Sequence, residues 1–177
     1  MAEKLNLDDY IRKIPDFPKK GILFYDVTSI LTNPRAFQYC VDRMREIYAD
    51  KKIDAVAAIE ARGFIFAAPF AVETHVPLIL LRKKGKLPGK TIHRSYELEY
   101  GEAAVELHVD DVKKGQRVLL VDDLIATGGT LLAAKELLEE VGAEVPEIFG
   151  VMGLPFLNYE KTLTGVPVTT LIEYNHE

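Results

Sequence analysis

The sequence predicts an α/β domain, a parallel sheet flanked by helices, and three observations carry that prediction. Near-continuous apolar runs stand at IDAVAAI (Ile53–Ile59), PLILLR (Pro77–Arg82) and RVLLVDD (Arg117–Asp123), as expected of strands buried on both faces. Helical periodicity separates the first run from the second and resumes after the third, the spacing of βαβ units. The 177 residues contain no internal repeat, low-complexity tract or linker rich in Pro, Gly or Ser, so one domain spanning residues 1–177 is expected.

Each element has its own signal. Leu7, Tyr10 and Ile11 share a face of a short opening helix, which Pro15 and Pro18 stop before GILFYDV reads as a short strand. These belong to an amino-terminal segment, 1–34. A longer helix should start at Asn33, a good N-cap followed by Pro34, because Phe37, Cys40, Val41, Met44, Ile47 and Tyr48 recur at helical spacing. Further helices are expected from about Gly63 to Glu73 and from about Gly128 to Val141, the latter with Leu131, Leu132, Lys135 and Leu138 in register. Between Lys83 and Gly101 the pattern changes to KKGKLPGKTIHRSYELEYG, with Gly, Pro and five basic residues but only scattered large apolar ones. This reads as a mobile flap, taken to about residues 83–107.

Composition narrows the function. The formal charge of −5 gives no support to a nucleic-acid or anionic-membrane partner. Cys40 is the only cysteine, and MAEKLNLDDY has no apolar signal core, so a cytoplasmic location is expected. No apolar run approaches the roughly 20 residues that a membrane helix needs.

The strongest signal is VLLVDDLIATGGT. A buried strand passes through two adjacent carboxylates into a turn of small residues that opens a helix, so the backbone N–H groups of Ala126 to Thr130 would point outward with the helix dipole behind them. Gly128 and Gly129 allow close approach of a phosphate, and the Thr127 and Thr130 hydroxyls add donors. The lysine of a nucleotide-triphosphate loop is missing, which favours a monophosphate. Asp122 and Asp123 would repel each other unless something cationic or rich in hydroxyls is bound, such as a ribose diol. Otherwise they are solvated residues capping the next helix.

VLLVDDLIATGGT resembles the phosphoribosyl-pyrophosphate motif of type I phosphoribosyltransferases. The resemblance implies that Asp122 and Asp123 hold the ribose hydroxyls, while Ala126, Thr127, Gly128, Gly129 and Thr130 hold the 5′-phosphate. Within that superfamily IPDFPKKGILFYDVTSIL, EARGF (Glu60–Phe64) and RKKGKLPG followed by SYELEYG are similar to the adenine phosphoribosyltransferase family. The match is continuous from about Ile14 to Glu139 and weaker afterwards. It implies a Mg²⁺-dependent purine-salvage transferase that makes AMP and pyrophosphate from adenine and phosphoribosyl pyrophosphate, with Mg²⁺ held mainly through substrate and water. It also implies a homodimer, and a small base-binding hood formed by the amino-terminal segment 1–34.

The remaining site residues follow from the same resemblance, each beside a plainer reading. Arg62 follows a strand and precedes a helix, where its guanidinium suits an anion; with Ala61 and Gly63 it matches the loop that contacts pyrophosphate, though a surface arginine would look the same. Arg82, Lys83 and Lys86 match residues near pyrophosphate, and the Arg82–Lys86 cluster repels itself unless anions are close or solvent surrounds it. Phe24 can stack on a purine while the backbone of Leu23 and Tyr25 reads its edge and Leu124 closes the other face. The family commonly has arginine where Tyr25 stands. Glu99, in LEYG, matches the position thought to act on the purine imidazole ring, so Glu99 and Arg62 are the candidate catalytic residues. A transferase for an oxo-purine, or a regulator that keeps the site as a sensor, are the competing readings; FYD and SYELEYG speak against the first, and the acidic single domain against the second.

Overall fold

The computed structural model describes residues 5–97 and 102–175. Nine strands and four α-helices alternate along it: β1 (Arg12–Pro15), β2 (Leu23–Asp26), α1 (Pro34–Tyr48), β3 (Ala55–Ile59), α2 (Arg62–Thr74), β4 (Leu78–Lys83), β5 (Thr91–Glu97), β6 (Glu102–His108), β7 (Arg117–Ile125), α3 (Gly129–Glu140), β8 (Glu144–Gly153), α4 (Tyr159–Thr162) and β9 (Val168–Glu173). Seven strands form one sheet in the order β5-β6-β4-β3-β7-β8-β9. From β4 to β9 every pairing is parallel, and only β6 and β5 are antiparallel additions at one edge.

The central strands are apolar along their length because both faces are covered. Ala55, Ala57, Val118 and Leu120 pack on one side with Leu131, Leu137 and Leu138 of α3. Val56, Ala58, Leu119 and Val121 pack on the other with α1 and α2, through Cys40, Met44, Phe66 and Phe70. The successive residues of each strand therefore alternate between two separate cores. Helix α1 begins where its sequence directs: the Asn33 side chain accepts from the Ala36 N–H at 3.1 Å, a cap that contributes about 1 kcal/mol. Burial in the core pushes the Cys40 thiol up to about 12, so it stays protonated and inert.

The expected parallel sheet and its main helices are present, with several differences. The opening helix is a single 3₁₀ turn, Leu7–Tyr10, and β7 runs two residues past the expected Arg117–Asp123, to Ile125, so the aspartates lie inside the strand rather than at its end. The segment Glu144–Gly153, not read as a strand, is β8; its Pro146 falls at a register shift where one residue of β7, Val118, opposes two of β8, Val145 and Pro146, so the missing N–H breaks no ladder bond. The described part of 83–107 carries two strands, whose hairpin is fastened to α3 by Arg94 reaching Glu136 at 3.1 Å and Glu140 at 2.8 Å. Their alternation was hidden by charged residues that find partners in the fold.

The hood is the small sheet β1–β2, antiparallel with Lys13 opposite Tyr25. It is locked from the far end of the chain: the Tyr174 ring lies flat on Tyr25 at 3.7 Å between centroids, and its hydroxyl donates to Asp8. Tyr174→Ala removes both contacts. Thermal unfolding should show a loss of about 2 kcal/mol, and amide exchange should quicken in Leu23–Asp26 while β3 and β7 stay protected. Equal acceleration throughout would mean that the pair holds the whole domain rather than the hood.

Candidate active site

Two parallel strands at the middle of the sheet send their chains to opposite sides. After β3 the chain crosses through α2 to β4, and after β7 it crosses through α3 to β8. The two helices lie on opposite faces. A crevice must open where such connections part, beyond the carboxyl ends of the strands. A cleft of about 460 Å³ is found there, lined by Ile59–Arg62, Arg82, Lys83, Lys86, Tyr96, Ala104, Val105, Asp122–Leu124 and Thr130.

One wall is anionic. Asp123 is buried, and its carboxylate accepts from Nε of Arg62, whose side chain is half exposed. The Asp122 carboxylate accepts from the Asp123 N–H at 2.9 Å. Burial first, then the adjacent Asp123 charge, raises the Asp122 carboxyl well above its usual value; Arg62 pulls the other way without cancelling them. Burial also works against the Arg62 charge, and Asp123, with Asp122 and Asp26 behind it, more than restores it. The influence of Asp26 places the end of the hood strand β2 beside this cluster.

The start of α2 reaches this wall because residue 63 has no side chain. A Cβ there would lie 3.0 Å from the Val121 carbonyl oxygen and 3.1 Å from Oδ1 of Asp122. The neighbouring turn after β7 has its own requirement: Gly128, with φ at +82°, is the N-cap of α3 and gives it no side-chain cap. A non-glycine residue would be strained in that conformation. The first N–H groups of α3 are therefore left for an external acceptor such as phosphate.

The opposite wall is cationic and braced. Glu60 takes Arg82 in a two-point pair, Nη2 at 3.0 Å and Nε at 3.2 Å, and accepts the Lys83 N–H at 3.1 Å. The third side of the guanidinium donates to the Lys86 carbonyl at 2.9 Å. The Arg82 bond, chiefly, holds the Glu60 carboxyl below its usual value. Burial opposes the Glu106 charge, and N–H groups of Leu87, Gly85 and Lys86 overcome that, leaving its carboxyl low as well.

Of the candidate residues, the fold gathers Ala61, Arg62, Arg82, Lys83, Lys86, Asp122, Asp123, Leu124 and Thr130 around the cleft. Ala126–Gly129 form the turn at the same end of β7. Leu23 and Phe24 lie in the hood, half-buried, with Phe24 edge-on to Phe17 at 5.1 Å, and the Tyr25 ring is turned into the hood's own packing. Glu99 lies outside the described residues. Glu60, Glu106 and Tyr96 were not singled out from the sequence. Glu60 stands in the quoted EARGF, while Glu106 is one polar letter in an alternating strand that gave no sign of its burial.

Residues 26–152 match the family model described as "Phosphoribosyl transferase domain". The adenine phosphoribosyltransferase of Treponema denticola is 67% identical over 177 residues, covering 100% of this chain and 93% of that one. The chain belongs to the adenine phosphoribosyltransferase family. The crystal structure of the family member from Thermoanaerobacter pseudethanolicus superposes with a TM-score of 0.90 at 45% identity, covering 95% of this chain and 98% of that one. That of the Saccharomyces cerevisiae member, complexed with adenine and an imino-altritol bisphosphate, gives 0.87 at 39% identity, with 93% and 96% covered. The likeness extends beyond the phosphate motif to the hood and hairpin, since nearly all of both chains is matched.

The raised Asp122 carboxyl has a thermodynamic consequence. The folded state binds that proton more tightly than the unfolded chain does, so Asp122 costs stability as pH rises through its raised value. Asp122→Asn should raise the melting temperature of the ligand-free protein at pH 7 by about 3 °C, and the gain should shrink towards pH 4. An unchanged or lower melting temperature at pH 7 would show that Arg62 already compensates the charge.

Proposed function

We propose that this protein transfers the 5-phosphoribosyl group from phosphoribosyl pyrophosphate to adenine, releasing AMP and pyrophosphate, in purine salvage. The observation that carries the reading is the cleft itself, with paired carboxylates on one wall facing a braced basic turn on the other. The substrate has that polarity: a ribose diol at one end of the breaking bond and a diphosphate at the other. The yeast family member's complex with adenine supports the choice of base.

In this reading the anomeric carbon loses its bond to pyrophosphate oxygen and gains one to N9 of adenine, while the N9 proton passes to the carboxylate of Glu99 and the pyrophosphate leaves as an anion. The ring carries positive charge at the transition state, which Asp122 and Asp123 stabilise while they hold the hydroxyls. The 5′-phosphate sits on the turn Ala126–Thr130. Ala61, Arg62, Gly63, Lys83 and Lys86 take up the negative charge on the leaving group, and Arg82 supports them. Mg²⁺, which prefers hard oxygen ligands and keeps several waters, would be held mainly through substrate and water beside Asp122 and Asp123, and would supply neutralisation of the pyrophosphate charge. The base lies against Phe24, with the backbone of Leu23 and Tyr25 reading its edge and Leu124 on the other side. Because the Tyr25 ring packs on Tyr174, its replacement of the family's usual arginine leaves that backbone in place. Glu99 serves the imidazole ring of the purine when residues of the hairpin close over the base and exclude water.

The enzyme acts as a homodimer, a reading in keeping with the apolar residues that α2 leaves exposed, Ile65 and Val72. It works in the cytoplasm, where its lone cysteine stays reduced.

Chromatography of reactions containing phosphoribosyl pyrophosphate, Mg²⁺ and one of adenine, hypoxanthine, guanine or xanthine tests the proposal directly. Nucleotide should form with adenine alone; product only with an oxo-purine would point to the rival transferase, and no product at all to a binding protein. For Glu99→Ala, kcat should fall about 100-fold at saturating substrates. An unchanged kcat would remove Glu99 from the mechanism.

A further inference from the structure

The basic turn poses an electrostatic problem. Arg82, Lys83, Lys84 and Lys86 fall within five positions, and such a cluster repels itself in the empty protein. Two carboxylates meet it, Glu60 from the lining of the cleft and Glu106 from β6. Glu60 occupies Arg82 and the Lys83 N–H, as described. Glu106, on β6, is only 3% exposed, and its Oε1 accepts the N–H groups of Lys86 and Leu87, each at 2.8 Å. Its Oε2 lies 3.4 Å from the Thr91 hydroxyl of β5. Glu106 also stands directly opposite Arg82 in the β4–β6 pairing. Four cations thus meet two fixed carboxylates, which leaves a positive excess on the side facing the cleft, where Lys83 and Lys86 line the wall.

We propose that Glu106 is a positioning residue for the transfer reaction: it holds the Arg82–Lys86 turn in the shape that presents Lys83 and Lys86 to the pyrophosphate group. The assignment rests on the reading of this wall as the pyrophosphate site. Backbone donors alone cannot fix the turn, because each ordinary hydrogen bond there competes with water; a buried carboxylate accepting two of them at once forms charge-assisted bonds that water does not replace cheaply. Arg82, with all three sides of its guanidinium engaged by Glu60 and Lys86, is a strut of the same assembly. Lys83 and Lys86, whose ammonium groups form no ion pair among the described residues, are left to meet the anion.

Glu106→Gln keeps the shape and one acceptor but removes the charge. With the full chain and Mg²⁺, it should raise KM for phosphoribosyl pyrophosphate and weaken product inhibition by inorganic pyrophosphate about tenfold, while KM for adenine stays within a factor of about two. A loss of melting temperature without this split would make Glu106 merely structural and overturn the proposal. Lys86→Ala separates the two levels of argument. If it weakens pyrophosphate inhibition and Glu106→Gln does not, the site stands and the positioning role falls; if neither variant affects pyrophosphate, the site itself is misplaced. Should Glu106→Gln fail to fold, Glu106→Asp, which withdraws the carboxylate by one methylene, should give the same selective effect, and an unaltered pyrophosphate response in that variant would equally reject the role.

Discussion

The working end of this molecule depends on one close approach, the start of α2 lying on the backbone of β7. Parallel neighbours leave their crossovers on opposite sides of the sheet, which guarantees a crevice but not its chemistry. The chemistry arises because Gly63 lets the chain after β3 settle within 3.0 Å of Val121, measured from where its Cβ would be. Arg62 is thereby brought onto Asp123. A side chain at 63 would crowd the Val121 carbonyl and the Asp122 carboxylate, so the absence of one lets the anionic wall close up.

Charge is treated differently at the two ends of the sheet. Near the start of β8, Glu147 is buried but satisfied: the Tyr48 hydroxyl reaches it at 2.9 Å, the Thr169 hydroxyl at 2.6 Å, and Lys51 pairs with it. Fully partnered buried carboxylates of that kind fasten helices and strands together. At the carboxyl ends, Asp122 keeps an uncompensated tendency to hold its proton, while Glu60 and Glu106 are saturated with donors. Stability and function have been separated along the strand direction, and the unsettled group stands where substrate would settle it.

Much of this was legible in the letters. Near-continuous apolar runs in β3 and β7 announced strands covered twice, Asn33–Pro34 announced a helix start, and DDLIATGG carried the turn and its carboxylates because phosphate binding constrains each position locally. What stayed hidden has long-range causes. β8 was missed since Pro146 and two glycines interrupt its apolar run, and only the bulge against β7 makes the proline acceptable. The flap segment was legible, but its two strands were not placed, because Arg94 and Glu106 are polar letters whose partners, Glu136, Glu140 and the turn before β5, lie elsewhere in the chain. The stacking of Tyr25 on Tyr174 spans nearly all of the sequence and leaves no local trace.

That last contact bears on how the protein comes into being. Synthesis delivers the hood first, yet every residue from Asp26 to Glu173 must be made before Tyr174 can arrive to clamp it. Contacts so distant in sequence form late, since the closure entropy of the loop between them has to be overcome first. A nascent chain therefore exposes a two-stranded ribbon, marginal on its own, until Tyr174 has been made, and a segment synthesised well before its clamp is among the last to fold.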